Sequence, residues 1–479
     1  MYILGISCFY HDAAACLLKD GQVIVAAEEE RFSRIKHDSS FPVNAINFCL
    51  EFEGITGEKL DYVVFNEKPF LKLERLIKTI FASYPQTFGL FQEVILNWFR
   101  NKLWIKSLIQ IKVGINPDKI LFCQHHLSHA ASSFFCSPFP KAAILTCDGV
   151  GEWTTTSLGY GTADWDNKSK NEINLFAEIN FPHSLGLLYS VFTAFLGFEI
   201  NEGEYKVMGM SAFGEPKYKD KVYKLIKVNQ DGSFRLNLRY FSYHYSTQRS
   251  FNKRFERLFG KPRDSQARFV TGKTSMYDYA QPPSEEEIRA NQNYADIAAS
   301  IQKVTEDTLV NIARYLYQKS GLKKLCLAGG VALNCLANSR ILKETHFEEI
   351  FIQPQAGDGG AAMGAALYVW HSLLGKPRKF ILQNTFLGKE YPDDKIKIFL
   401  EENNLEYGYF PDQDKLLDSI VDALISQKVI GWFQGRFEWG PRALGNRSIL
   451  ADPRQEKTKD TVNIKIKFRE PFRPFALSV

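Results

Sequence analysis

The sequence lacks a C-x-x-C pair, a basic leader, an unbroken apolar run and any large excess of one charge. Each absence excludes a class. The eight cysteines, Cys8, Cys16, Cys49, Cys123, Cys136, Cys147, Cys326 and Cys335, show no paired spacing. In a chain of 479 residues they read as buried thiols of a reducing compartment. Met1 to Gly5 runs straight into a strand with no basic n-region, so no secretory leader is read. The most apolar and aromatic stretch, Phe81 to Ile111, is broken by Gln86, Glu93, Asn97, Arg100, Lys102 and Lys106. It cannot supply the about 20 apolar residues of a membrane span. Net charge is +5, from 59 basic and 54 acidic side chains. That is too mild to argue for nucleic acid or a membrane as a partner. The expected location is the cytoplasm.

What is present is an ordinary globular composition, 45% apolar and 24% charged. The length suits roughly two to four domains. Ile3 to Ile6 and Ala13 to Leu18 read as strands, Asp20-Gly21 as a turn, and Val23 to Ala27 as a returning strand. The pattern recurs. Ala143 to Thr146 is a strand, Asp148 to Gly151 a glycine-rich turn, and Thr154 to Tyr160 the return. Two such units, each with an acidic residue at its turn, predict a duplicated subdomain.

An aromatic and basic insert spans 68–113. A second stretch, 218–289, is rich in Arg, Lys, Tyr and Phe without a clean period, and reads as a surface excursion with snorkelling cations rather than a nucleic-acid surface. Ile297, Ile301, Val304, Ile312 and Leu316 predict a long amphipathic helix over 294–317. Lys324 to Ala328 is a strand, Gly329-Gly330 a turn, and Val331 to Asn338 a helix start, a unit able to hold a nucleotide at the helix N-terminus. Gly357 to Ala366 reads as a tight turn feeding a closely packed helix. Gly375 to Lys379 reads as a linker. A second domain then opens near Phe386, with an amphipathic helix (Leu416, Leu417, Ile420, Val421, Leu424) and a strand at 429–433.

Three patterns carry chemistry. His125 and His129 are spaced i, i+4, so a helix places both on one face, where they suit a borderline metal such as zinc or iron. The spacing alone is somewhat more often the mark of histidines that cap or line a helix. Asp148 and Asp358, both beside glycines, add the further ligands a metal needs. Such a set with open positions would act as a Lewis acid on a phosphate or carbonyl oxygen. His11, in the first turn, is a candidate general base or proton donor, or a locally bonded turn histidine. Arg436, Arg442, Arg447 and Arg454, then Lys465, Lys467, Arg469 and Arg473, are interleaved with Trp439, Leu444, Ile449, Phe468, Phe472 and Phe475. Cations among apolar residues predict a partly buried cleft for phosphate or acyl phosphate.

The chain resembles the carbamoyltransferases of antibiotic and nodulation-factor synthesis. The resemblance rests on Gly5-Ile6-Ser7 with Tyr10 to Ala14, on Glu29 to Asp38, and on the histidine motif. Asp148 to Trp153, Gly329 to Asn334, Gly357 to Gly360 and the blocks from Gly435 and Asn463 complete it in order. It implies an α/β chain: an actin/hexokinase-like duplicated ATPase fold at 1–375, then a partial threonylcarbamoyl-adenylate-synthase-like domain at 386–479. It implies an ATP-dependent O-carbamoyltransferase. Carbamoyl phosphate and ATP (with Mg2+) would give carbamoyl-adenylate and pyrophosphate, and the carbamoyl group would pass to a hydroxyl-bearing small molecule or sugar-containing product. By the same resemblance His125, His129, Asp148 and Asp358 are metal ligands, with iron favoured and zinc the alternative. His11 falls at the transfer-site histidine, and Lys36 lies in a motif of the active cleft. Gly329, Gly330 and Asn334 fall on the ATP turn, and Arg442, Lys467 and Arg473 on the carbamoyl-phosphate cations. The acceptor is expected against 201–217, near Glu202, Glu204 and Lys206. Family members usually continue beyond the point where this sequence stops. Leu477 and Val479 read as strand, so the expectation is a truncated adenylation domain or one completed by a second chain; a homo-oligomer is also compatible. The alternatives are an inactive or subunit-dependent homologue and a sugar kinase of the same superfold.

Overall fold

The computed structural model describes residues 1–89, 91–92, 98, 102–165, 171–274, 282–455 and 457–475. Leu477 and Val479, read above as strand, lie outside these. The chain divides into two units. One comprises Met1–Ala267 and Tyr294–Gln383, the other Arg268–Asn293 and Asn384–Val479.

The first unit is built on two sheets of five strands each. In the first, β1 (Tyr2–Ser7) is central. It pairs antiparallel with β2 (Ala14–Lys19), which pairs antiparallel with β3 (Gln22–Glu28). On its other side β1 runs parallel to β4 (Tyr62–Phe65), and β4 to β5 (Ile120–Phe122). In the second sheet β6 (Lys141–Cys147) takes the place of β1. It pairs antiparallel with β7 (Thr154–Thr162), and β7 with β8 (Glu172–Asn180). A small hairpin, β9 (Ile226–Val228) and β10 (Phe234–Leu236), stands apart. The sheet closes with β11 (Lys324–Ala328) parallel to β6, and β12 (Glu349–Ile352) parallel to β11. Order and direction are the same in both sheets, so the duplication read from the two hairpins is present throughout. This is the actin/hexokinase-like arrangement the resemblance implies.

Burial explains the strand patterns. β1 and β6 sit mid-sheet and are buried along nearly their whole length, so they read as continuous apolar runs. β8 is an edge strand with alternating burial, and its sequence alternates accordingly. Helices cover the sheet faces. The helix Val43–Glu53 covers β2 and β3 with Ala45, Ile46 and Cys49. The long helix Glu285–Ser320 buries Ile297, Ile301, Val304, Ile312 and Leu316, as its periodicity predicts.

Three local expectations change. Within the stretch 218–289, residues 241–259 are no surface excursion: Phe241, Phe251, Phe255 and Phe259 are buried, and Phe255 and Phe259 pack edge-on against Phe192 of the helix Leu185–Phe195. Its aromatics form a cluster, which needs no period. Arg378, inside the expected linker, is buried and donates to the carbonyls of Phe134, Phe139 and Ser137. Of the cysteines, Cys335 alone is exposed.

The second unit pairs β13 (Phe386–Glu390) with β15 (Arg436–Glu438) and β14 (Ile430–Phe433) with β16 (Arg447–Leu450), all antiparallel. The expected amphipathic helix is Gln413–Ile425, whose apolar side chains remain half-buried or exposed.

Candidate metal and transfer site

The duplication delivers the site. In each sheet the central strand ends in a turn that carries chemistry: β1 leads to His11 and Asp12, and β6 leads to Asp148. In each, the fifth strand feeds a helix at the same end. β5 leads to the histidine helix His125–Phe134, and β12 to the small-residue helix Asp358–Tyr368. The two helices touch: a Cβ on Gly364 would stand 1.9 Å from the Ser128 carbonyl oxygen. Only glycine permits that approach.

His125 and His129 present their Nε2 atoms 3.0 Å apart. Asp148 Oδ2 lies 3.1 Å from the first and 3.6 Å from the second; Asp358 Oδ1 lies 3.6 and 3.5 Å from them. All four residues are buried, with ligand atoms within 4.8 Å of one another. Neighbouring ligands on bonds of about 2.1 Å sit about 3.0 Å apart in octahedral and about 3.4 Å apart in tetrahedral geometry. The His125–His129 and His125–Asp148 separations, 3.0 and 3.1 Å, fall in this range, and the other three, 3.5–3.6 Å, lie just above it. Asp358 Oδ1 is buried, has no hydrogen-bond partner, and faces the two Nε2 atoms. An orphaned carboxylate oxygen aimed at two converging imidazoles fits a bound cation, and the two-nitrogen, two-oxygen donor set suits iron or zinc.

The electrostatics agree. Burial opposes protonation of His129, but Asp148 and Asp358 outweigh it and push its pKa up to about 9. Burial alone would raise Asp148; the bonds from His125 and His129 hold it well below its ordinary value instead. Two carboxylates of such strength create a demand for positive charge. The histidine helix is also anchored electrostatically: Glu152 accepts the His125 backbone N–H at 3.0 Å, placing a carboxylate at the helix N-terminus.

His11 stands at the rim of this centre. Its Nε2 lies 3.9 Å from Asp358 Oδ2, and its Nδ1 bonds Asp12 Oδ2 at 2.9 Å. Asp12 Oδ1 bonds His37 Nδ1 at 2.6 Å. Burial would lower the His11 pKa; Asp358 and Asp12 raise it to about 9. Asp12 and His37 are both left-handed, with φ of 52° and 54°. Phe9, at φ 70°, is the more costly member of this strained turn. Asp12 and Glu152, to which sequence reasoning gave no role, are tied to the site through His11, His37 and the His125 N–H. Their side chains act across the fold, and only the motif positions marked them.

The glycine turn joins the same centre. Gly329 has φ 90° and passes close to the Cys147 carbonyl, and the Gly330 N–H donates to Asp148 Oδ1 at 2.9 Å. The expected helix start differs. A 3-10 turn spans Gly330–Leu333, and the helix begins at Cys335. Asn334 is its cap: the Oδ1 accepts the Ala337 N–H, and the amide is tied to Gln302. Its side chain is committed to the fold. Lys36 is exposed and ion-paired with Glu202, while Glu204 accepts the Ser190 hydroxyl at 2.7 Å. Lys206 lies over the Phe198 ring.

In the second unit the cations sort themselves. Arg436 donates to the Leu387 and Gly388 carbonyls, Arg447 pairs with Glu438, and Arg454 with Asp452. Arg442 is exposed with no side-chain partner among the described residues. Lys467 is lowered by partial burial and by Arg469 and Arg473, so these three cations are neighbours. Trp439 and Phe472 are buried, whereas Leu444, Ile449, Phe468 and Phe475 are exposed. Glu438 organises the loop: one oxygen accepts from the backbone N–H of Leu444, Asn446 and Arg447.

No helix among the described residues is long and apolar enough to cross a membrane. Comparison with known proteins accords with the geometry. The carbamoyltransferase N-terminus model matches residues 2–367, and the carbamoyltransferase C-terminus model residues 421–479. Over its whole length the chain is 45% identical to Uncharacterized protein sll1178 of Synechocystis sp. (strain ATCC 27184 / PCC 6803 / Kazusa), of which it spans 75%. Over 98% of its length it is 34% identical to nodulation protein NolNO of Sinorhizobium fredii (strain NBRC 101917 / NGR234), spanning 62% of that protein. A stretch of 32% of the chain is 36% identical to 3'-hydroxymethylcephem-O-carbamoyltransferase of Streptomyces clavuligerus, covering 27% of it. The chain belongs to the carbamoyltransferase family, a family of transferases that move a carbamoyl group from a donor to an acceptor.

Proposed function

We propose that this chain carries the transfer site of an ATP-dependent O-carbamoyltransferase, acting in the cytoplasm on a hydroxyl of a small molecule or sugar-containing product. The observation that supports it best is the convergence of His125, His129, Asp148 and Asp358, with His11 Nε2 3.9 Å from Asp358. In this reading carbamoyl phosphate is hydrolysed to carbamate and phosphate. A carbamate oxygen attacks the α-phosphorus of ATP and pyrophosphate leaves. The acceptor oxygen then attacks the carbamoyl carbon of carbamoyl-adenylate, AMP leaves, and the hydroxyl proton is taken up.

Iron or zinc held by the four residues would supply a Lewis acid that polarises the carbamoyl oxygen. The other tasks belong to the chain itself. His11 holds or moves a proton at Nε2, with Asp12 orienting the ring. The backbone of Gly329-Gly330 receives the nucleotide, with Mg2+ accompanying ATP. Arg442, Lys467 and Arg473 receive carbamoyl phosphate. Glu202 and Lys36 line the acceptor side.

The test supplies the protein with carbamoyl-adenylate, or with carbamoyl phosphate and ATP, together with hydroxyl acceptors. Carbamoylated product with AMP release is expected from the first mixture. No product from carbamoyl-adenylate, or a phosphorylated acceptor with no need for a carbamoyl donor, would overturn the reading.

A further inference from the structure

Near Tyr10 the protein gathers three cations, two buried and one half-buried, with too few anions. Lys72 and Arg75, on the helix Pro69–Ala82, are 7% and 6% exposed. Lys102 opens the short turn Lys102–Trp104. Lys72 pairs with buried Glu67, which burial would raise but Lys72 and Lys102 hold ionised. Glu152, the other acid acting on Arg75, is already occupied by the backbone N–H groups of Lys68 and His125. The Arg75 guanidinium has no hydrogen bond or ion pair among the described residues. Its buried Nε is unpartnered, and the group rests on the Phe181 ring at 4.9 Å. The Lys102 ammonium, 5.9 Å from the Trp98 ring, has no such partner among the described residues either. Burial, followed by repulsion from Lys72, lowers its pKa to about 8.

An unpaired buried guanidinium is costly, and such groups are retained where something pairs with them. The location says what that is near. Lys72 Nζ lies 5.4 Å from the centre of the Tyr10 ring, and the Tyr10 and His11 ring centres are 4.7 Å apart. The Tyr10 hydroxyl in turn feels Asp148 and Asp358. The cluster therefore backs onto the transfer histidine. We infer that Lys72, Arg75 and Lys102 form a binding site for an anionic group, a phosphate or a carboxylate, of a molecule held beside His11. The guanidinium fork supplies directed bonds and the two ammonium groups supply charge. The group comes from one of two sources: the phosphate of an adenylated donor, or an acid on the acceptor.

The test is independent of the carbamoyl reading, because it needs no transfer. Amide exchange across Pro69–Ala82 is followed with inorganic phosphate, AMP or acetate, against chloride at equal ionic strength. Phosphate is expected to slow exchange in that helix. Arg75→Gln and Lys102→Gln should each raise the half-saturating concentration about tenfold or more, the loss of one charge-assisted bond. Lys78→Gln, on the exposed side of the same helix, should leave it unchanged. The variants remove a buried and a half-buried charge that lack partners among the described residues, and circular dichroism checks that they stay folded. Protection by AMP below the phosphate concentration assigns the donor. Protection by phosphate and acetate but not by AMP assigns the acceptor. Absence of phosphate-dependent slowing in the natural protein, or slowing that survives Arg75→Gln unchanged, would overturn the inference.

Discussion

If His11 is the transfer histidine, its ring must be held in one orientation. Asp12 does this for His11, because an ionised carboxylate accepts and cannot donate: the bond at 2.9 Å requires the proton on Nδ1 and turns Nε2 toward Asp358. The same carboxylate accepts from His37 at 2.6 Å, so it is itself pinned on both oxygens. Asp12→Asn keeps the size but offers a donor to one of the two rings. Turnover from supplied carbamoyl-adenylate should fall about 10²- to 10⁴-fold, the ordinary worth of a positioned proton-transfer group. Acceptor KM and metal content should stay as they are; a raised KM with intact turnover would contradict the assignment. The histidine pair is tested by metal removal. A ligand held at about a thousand times its Kd adds about 4 kcal/mol of stability. If the four residues hold a metal, a chelator should lower the Tm of the natural protein and leave that of His129→Asn, which lacks one of the ligands, nearly unmoved. That His125 and His129 share a face was legible from their i, i+4 spacing, although the spacing alone left a purely structural pair open. Asp12 was not. Its role depends on a left-handed backbone at φ 52° and on His37, which arrives from a different part of the chain.

Elements place these residues through repetition. The strand patterns of β1 to β3 and β6 to β7 were visible because mid-sheet burial and the hairpin turns leave a local mark in the sequence. The parallel strands β4, β5, β11 and β12 complete the duplication, and their pairing was invisible because it is set by distant partners. Residues 241–259 of the aromatic stretch 218–289 were misread for a related reason: a cluster such as Phe192 with Phe255 and Phe259 is made by tertiary packing and has no periodicity. The contact between the histidine helix and the small-residue helix gives a direct test. Gly364→Ala puts a methyl group into the Ser128 carbonyl, at 1.9 Å before relaxation. Overpacking of this kind costs about 1–3 kcal/mol, to be read from the urea midpoint at unchanged slope. Because Ser128 precedes His129, bound metal should fall as well. In the second unit Glu438 carries a pH test. Burial would raise its pKa above 4.5, but the Leu444 backbone N–H, Arg447 and the Asn446 N–H lower it to about 2. A depressed folded value stabilises above the unfolded value of 4.5 and ceases to do so as pH falls through about 2. Glu438→Gln should destabilise at neutral pH, and the difference from the natural protein should shrink between those two values. A constant difference across that window would show that the carboxylate charge is not what holds the loop.

At the scale of the whole molecule the question is whether the two units perform separable steps. Each has its own cluster of charged side chains. The first holds the buried His125, His129, Asp148 and Asp358 with His11. The second holds Lys467 against Arg469 and Arg473, and carries Arg442 on a loop that Glu438 ties down. Most of the arginine run proved structural. Arg436, Arg447 and Arg454 have partners, and a linear sequence cannot say which cations are already neutralised. Arg442 and Lys467 are left as the pair whose removal should touch binding and not folding. If the second unit captures carbamoyl phosphate, Arg442→Gln and Lys467→Gln should each raise its KM about tenfold or more, since a charge-assisted bond is worth about 1.5–3 kcal/mol. They should leave metal content and transfer from supplied carbamoyl-adenylate at the level of the natural protein. His11→Asn should do the reverse, abolishing transfer while pyrophosphate release from carbamoyl phosphate and ATP continues. The two sets of variants, assayed with both donors, separate the steps. If Arg442→Gln impaired transfer from carbamoyl-adenylate as severely as His11→Asn does, the division of labour between the units would be refuted.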